Sequence, residues 1–179
     1  AKDHYTFNHS EKVSQYAAQL AEEIGLDREH VEIVRQAGLL HDIGKIGIPE
    51  HILGKPGKLT DEEHQVMKRH VESSIAMIKY LPSLDYVIPT AIGHHERWDG
   101  KGYPRGLAGE EIPVGARCLC IADSFDAMTT ERSYKPALPV EKALDEIRRN
   151  LGTQFDPKIG LVFIKMVEEG RLRKVVLSR

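Results

Sequence analysis

The sequence predicts an all-α fold, a single domain of about seven or eight helices built around a metal site. Three observations predict it. Apolar residues recur at spacings of three and four along most of the chain, strand-like alternation is missing outside the last few residues, and histidines and aspartates repeatedly end or interrupt the apolar stripes. With 179 residues, 41% hydrophobic and 29% charged, the chain is long enough for one well-filled core. A formal net charge of −2 supplies no basic excess for a nucleic-acid polymer. No apolar run nears the roughly 20 residues needed to span a bilayer.

The elements follow in order. Val13, Tyr16, Ala17, Leu20 and Ile24 predict a helix over 9–24, opened by His9 and closed at Gly25. Asp27 is the expected cap of a second helix, in which Val31, Val34 and Gly38 lead to His41; Gly44 is expected to end it. Three glycines and two prolines between Ile46 and Lys58 predict a loop with at most a short helix near Glu50. Thr60 and Glu63 form a capping box for the next helix, whose face carries Val66, Met67, His70 and Val71. Pro82 breaks that pattern, and a further helical stretch with Val87, Ile88, Ala91 and Ile92 runs into His94 and His95.

Residues 96–113 hold four glycines and two prolines together with Trp98 and Tyr103, which predicts a structured loop. From Val114 a helix resumes, with Asp123 in the middle of the face made by Ala116, Leu119, Cys120 and Ala127. Two more helices are expected at about 139–151 and 156–169. Residues 1–170 thus read as the domain and 171–179 as a tail, in which Val175, Val176 and Leu177 could add a strand or dock on the body. Cys118 and Cys120, two apart on a helix, cannot pair locally, so a reducing cytoplasm is expected. The chain opens with Ala1 rather than Met, which suggests a segment of something longer, with a regulatory domain upstream.

Five helices each bring a metal-competent side chain towards the core: His9, His41 with Asp42, His70, His94 with His95, and Asp123. Burying so many imidazoles and carboxylates without partners costs several kcal/mol apiece, and shared cations remove that cost. The set exceeds one structural zinc and lacks thiolate spacing, so a dinuclear site with a bridging aspartate fits the count. Such a site holds and deprotonates a water between two ions and stabilises in-line displacement at phosphorus. Lys45, Arg132 and Lys135 are the candidate cations for phosphoryl oxygens; a solvated face is the alternative for the last two.

Three motifs carry a family resemblance: His41-Asp42-Ile43-Gly44-Lys45, the run from His94 to Pro104, and Ile121 to Met128. Together they resemble the HD-GYP family of bacterial cyclic di-GMP phosphodiesterases, within the HD superfamily of metal-dependent phosphohydrolases. The resemblance covers nearly the whole chain. It implies an HD-type helical domain that cleaves cyclic di-GMP to the linear dinucleotide pGpG and often on to GMP. It also implies His41, Asp42, His70, His94, His95 and Asp123 as metal ligands, with Asp42 the bridge. Lys45 matches the lysine near the scissile phosphate, Asp126 a residue that orients it, and Arg132 and Lys135 basic contacts to substrate phosphate. His9 falls where some members have a further ligand. Members with three metals carry a glutamate four residues earlier, where this chain has Tyr5; two metals are therefore expected, iron or manganese, and the case for His9 is weakened.

The Gly102-Tyr103-Pro104 loop has two expected roles, lining the substrate site or docking a diguanylate cyclase domain, as in members of the family. Two other functions stay open: an HD-type phosphohydrolase of another nucleotide or cyclic dinucleotide, and a catalytically weak signalling module. The complete ligand set with Lys45 argues against the latter.

Overall fold

Val13, Ala17, Ala18, Leu20 and Ala21 are buried along one side of α1 (Lys2–Glu23). Small side chains there let α1 lie close against α2 (Arg28–Leu40) and α6 (Val114–Thr129). The computed structural model describes residues 2–48, 50–53, 55, 57–79, 85–132 and 135–177. Among these, eight α-helices alternate with three short 3-10 turns, and two isolated bridges are the only extended pairings. No helix among them is long and apolar enough to cross a membrane.

The centre of the packing is α6. Cys118, Leu119, Cys120, Ile121, Ala122 and Phe125 are all buried, as expected of a helix enclosed by its neighbours on most sides, with Asp123 and Asp126 as its half-buried and buried acids. Both thiols are free, and burial pushes each up to about 12. Tyr16 of α1 meets Phe125 edge-on at 5.6 Å, and Phe163 of α8 (Pro157–Glu168) does so at 5.1 Å. The short helix α7 (Val140–Arg149) adds Ala143, Leu144 and Ile147 to the same core.

On the other side, α4 (Asp61–Lys79) packs on the 3-10 turn Ile43–Gly47 and on α5 (Ile88–Ile92). Its predicted capping box is present: Glu63 N–H donates to Thr60 Oγ1 at 3.2 Å and Thr60 N–H to the Glu63 carboxylate at 2.8 Å. The short helix expected near Glu50 is α3 (Glu50–Leu53). The break at Pro82 lies outside the described residues.

Three boundaries differ from the sequence reading. Helix α1 begins at Lys2, well before His9. Helix α2 ends at Leu40, not Gly44, because the chain tightens into i→i+3 bonding: Lys45 N–H reaches Asp42 O at 2.9 Å and Ile48 N–H reaches Lys45 O at 3.0 Å. The stretch before His94 forms a 3-10 turn (Asp85–Val87) and only five residues of α5, so His94 and His95 stand in the turn after it. The tail docks without a strand among its described residues. Gln15 pairs with both backbone groups of Val176 (2.8 and 3.2 Å), and Gln19 with those of Arg173 (3.2 and 2.7 Å).

Candidate metal centre

Asp42 leaves the end of α2 with 1% of its surface exposed, and its two oxygens face different histidines. Oδ1 lies 3.2 Å from His70 Nε2 and 3.8 Å from His94 Nε2. Oδ2 lies 3.1 Å from His41 Nε2, 3.7 Å from His9 Nε2 and 2.8 Å from Lys45 Nζ. Two metal-competent groups result, Asp42 with His70, His94 and His95, and Asp42 with His9, His41 and Asp123. Within each, the donor atoms lie inside 4.8 Å of one another. Asp42 is common to both.

Local folding aims the imidazoles. His41, His70 and His94 each donate Nδ1–H to the carbonyl three residues earlier, to Gly38 at 2.6 Å, to Met67, and to Ala91 at 2.5 Å. That backbone anchor fixes the ring and turns Nε2 inward, the arrangement that metal-binding histidines use. The inward atoms are poorly served by the protein itself. His41 Nε2, His94 Nε2 and Asp42 Oδ1 are buried without a hydrogen bond, despite the nearby opposite charge. An orphaned buried polar atom costs about 1–3 kcal/mol, more when charged. Divalent first-row ions accept this nitrogen and oxygen set without thiolate, so the residues fit such ions.

Electrostatics divide the two groups. Burial first, then the neighbouring His95 and His41, keeps His94 well below its ordinary value, and burial takes His95 down to about 4. Both are neutral and ready to ligate. Burial also disfavours a charge on His41, but the carboxylates of Asp42 and Asp123 overcome it and raise the imidazole to about 10. Asp42 and Asp123 sit well below the usual carboxylate range; burial opposes this, and adjacent imidazoles prevail.

His9, weakened in the sequence by Tyr5, stands inside the second group, with Nε2 at 2.9 Å from Asp123 Oδ1. The side chain of Tyr5 lies outside the described residues. Asp126 corrects one expectation. It does not meet Lys45: it is 1% exposed and accepts from His9 Nδ1 at 2.6 Å and from the Thr130 hydroxyl at 3.0 Å. A buried carboxylate so occupied orients an imidazole and is closed to substrate. Lys45, half-buried, is held charged by Asp42, with Arg132 within electrostatic reach. Arg132 and the exposed Lys135 join in a two-hydrogen-bond bridge of 2.8 and 3.1 Å.

The loop after His95 folds back onto it. Tyr103 N–H donates to His95 O at 3.2 Å, and the Tyr103 ring stacks on the His95 imidazole with centroids 4.9 Å apart. A side chain at Gly102 would meet His95 O at 2.4 Å and Arg97 N at 2.5 Å, so only glycine permits this approach.

Two residues escaped sequence reasoning. Ser74, one turn after His70, accepts from Gly44 N–H at 2.8 Å and ties α4 to the His-Asp turn. Its spacing from His70 was the available signal. Glu96, 2% exposed, accepts from the N–H groups of Arg105 and Leu107 at 2.7 and 3.0 Å. A lone acid beside two histidines in a glycine-rich run was its signal. Each such charge-assisted bond contributes about 1.5–3 kcal/mol, so Glu96→Ala should lose roughly 3 kcal/mol and open the loop. Thermal melting and tryptic cleavage after Lys101 and Arg105 measure both; an unchanged melt and cleavage rate would remove Glu96 from this role.

Comparison with known proteins agrees with the geometry. The HD domain family matches residues 1–159. A cyclic di-GMP phosphodiesterase of Thermotoga maritima is 42% identical over 170 residues, covering 94% of this chain and 46% of that protein. A 3'3'-cGAMP-specific phosphodiesterase of Vibrio cholerae is 40% identical over 158 residues, covering 88% of this chain and 34% of its own length. The chain thus spans less than half the length of these curated relatives. Among solved structures, an HDG"Y"P protein of Bdellovibrio bacteriovorus superposes with a TM-score of 0.73 at 18% identity, over 91% of this chain and 52% of that one, and so shares the fold. With its His-Asp pair and its two histidine groups, and with the family model matching most of its length, the chain belongs to the HD domain family.

Proposed function

We propose that residues 1–170 are the catalytic domain of a metal-dependent phosphodiesterase that hydrolyses cyclic di-GMP to linear pGpG. One observation carries the reading: a single buried carboxylate, Asp42, is shared by two metal-competent groups and capped by Lys45. His70, His94 and His95 would hold one ion and His9, His41 and Asp123 the other, with Asp42 between them and iron or manganese as the metals. Two ions, with no third, follow from Tyr5. When bound, such ions activate a water and offset charge on the phosphoryl oxygens.

The chain's own residues do the rest. Lys45, kept charged by Asp42, meets a non-reacting phosphoryl oxygen; Arg132, within electrostatic reach of Lys45, adds a fork and Lys135 a point charge. Backbone anchors on His41, His70 and His94 hold the donors still, so little reorganisation accompanies the reaction. Water adds to phosphorus, the P–O3′ bond breaks, and the 5′-phosphate stays on the linear product. Gly102, Tyr103 and Pro104 border the substrate on the His95 side, and the exposed part of this loop suits a diguanylate cyclase domain as partner. An upstream sensor or receiver domain would fill part of the length the relatives have beyond this chain. The free, buried cysteines support a cytoplasmic setting.

The Vibrio relative favours a second reading, in which 3'3'-cGAMP is the better substrate. The test is chromatographic product analysis of anaerobically loaded iron or manganese protein, with cyclic di-GMP, 3'3'-cGAMP, cyclic di-AMP and a mononucleotide in parallel, beside a chelated control. Linear pGpG formed only with metal, and fastest from cyclic di-GMP, is the expected outcome. Faster cleavage of 3'3'-cGAMP selects the second reading, and no product from loaded protein rejects both.

A further inference from the structure

A cavity of about 520 Å³ opens beside His95, walled by His64 and Lys68 of α4 and by Arg97, Lys101 and Tyr103 of the loop. That volume suits a ligand of nucleotide size or larger. His95 belongs to the first metal-competent group, so the cavity borders the centre at that residue. Its charge is arranged for an anion. Arg97 is already matched by Asp99 through contacts of 3.1 and 2.9 Å. Lys68 and Lys101 are exposed and make no ion pair within 4 Å among the described residues, although the Asp99 that holds Arg97 is also within electrostatic reach of Lys101; the lining itself holds one carboxylate, Asp61. Lys68 Nζ stands 5.2 Å from the centroid of the Tyr103 ring, which itself rests on His95. This seats one ammonium over an aromatic wall without consuming its charge.

Lys45 and Arg132 gather at the Asp42 side of the centre. They answer one phosphate. A substrate with a single phosphate would leave the second cationic pair without a purpose, whereas a cyclic dinucleotide carries two phosphodiesters and two bases. Resting on the reading above, we propose that this cavity takes the second, uncleaved nucleotide of the cyclic dinucleotide. Lys68 and Lys101 pair with its phosphodiester, and its base lies along Tyr103. The cavity then sets affinity for the whole ring without touching the bond that breaks.

The experiment compares the wild-type domain, metal-loaded, with Lys68→Ala/Lys101→Ala on two substrates, cyclic di-GMP and bis(p-nitrophenyl) phosphate. The second has one phosphodiester and so offers no second phosphate for Lys68 and Lys101 to pair with. Both lysines are exposed, so the variant should melt with the wild type. The expected result is a KM for cyclic di-GMP raised about tenfold at low salt, with kcat and bis(p-nitrophenyl) phosphate hydrolysis within twofold of wild type. Added salt should raise the wild-type KM more steeply than the variant's. An unchanged KM for cyclic di-GMP, or a parallel loss on both substrates, would overturn the assignment. A wild-type domain that cleaves bis(p-nitrophenyl) phosphate but no cyclic dinucleotide overturns the substrate reading itself, and the cavity assignment with it. That pattern differs from a cavity failure, in which both proteins cleave cyclic di-GMP equally well.

Discussion

Replacing Asp42 with alanine should lower kcat/KM for cyclic di-GMP by at least about a thousandfold, because metal-ion catalysis supplies several kcal/mol and each 1.36 kcal/mol is a factor of ten. No other residue stands in both donor groups. The substitution strips each of an oxygen donor and leaves the Lys45 ammonium without its 2.8 Å partner. It also releases the charge that raises His41, so the imidazole should return towards its ordinary value. Steady-state kinetics with metal content measured on the same sample checks this. A variant that keeps its full metal content and hydrolyses within tenfold of wild type would remove Asp42 from the role of shared ligand.

The second large effect comes from a residue that ligates nothing. A Cβ at Gly44 would fall 2.3 Å from His70 O and 2.5 Å from Ser74 N, both backbone atoms of α4. Neither can move alone, so Gly44→Ala must push the 3-10 turn and α4 apart. Asp42 begins that turn and His70 rides on α4, and the 3.2 Å approach between them widens with the shift. Overpacking of this kind costs about 1–3 kcal/mol, which lowers the melting temperature of a chain this size by roughly 3–10 °C. Misplacement of about 1 Å at a reacting centre can cost a hundredfold in rate. Calorimetry and turnover should therefore fall together; a Gly44→Ala protein that melts and turns over like wild type would show that the two elements have slack.

Much of this was legible in the sequence, and the reason is periodicity. The stripe ending in Val34, Gly38 and His41, and the face carrying Val66, Met67, His70 and Val71, each report one helix and one inward imidazole. Asp123, a carboxylate amid Leu119, Cys120 and Ala127, was readable the same way. What periodicity does not report is the ends of elements. The α2 end at Leu40 and the brevity of α5 depend on i→i+3 bonding and on packing against α4. Nor does it report which acid faces which base. Asp123 and Asp126 lie three apart on α6, and only the position of α1 makes Asp126 the support of His9 rather than of Lys45. Glu96 and Ser74 act through loop and inter-helix hydrogen bonds, which leave little trace in a linear pattern.

The claim that one carboxylate serves two ions is tested most directly by counting them. Protein stripped with chelator and reloaded anaerobically with manganese at pH 8 would be analysed by plasma emission and by electron paramagnetic resonance. A pH above neutrality helps, since ligation must displace the proton that Asp42 and Asp123 hold on His41. The expected result is one ion for each of the two donor groups, magnetically coupled through their common residue. A single ion per chain, or two that show no coupling, would contradict a bridging Asp42.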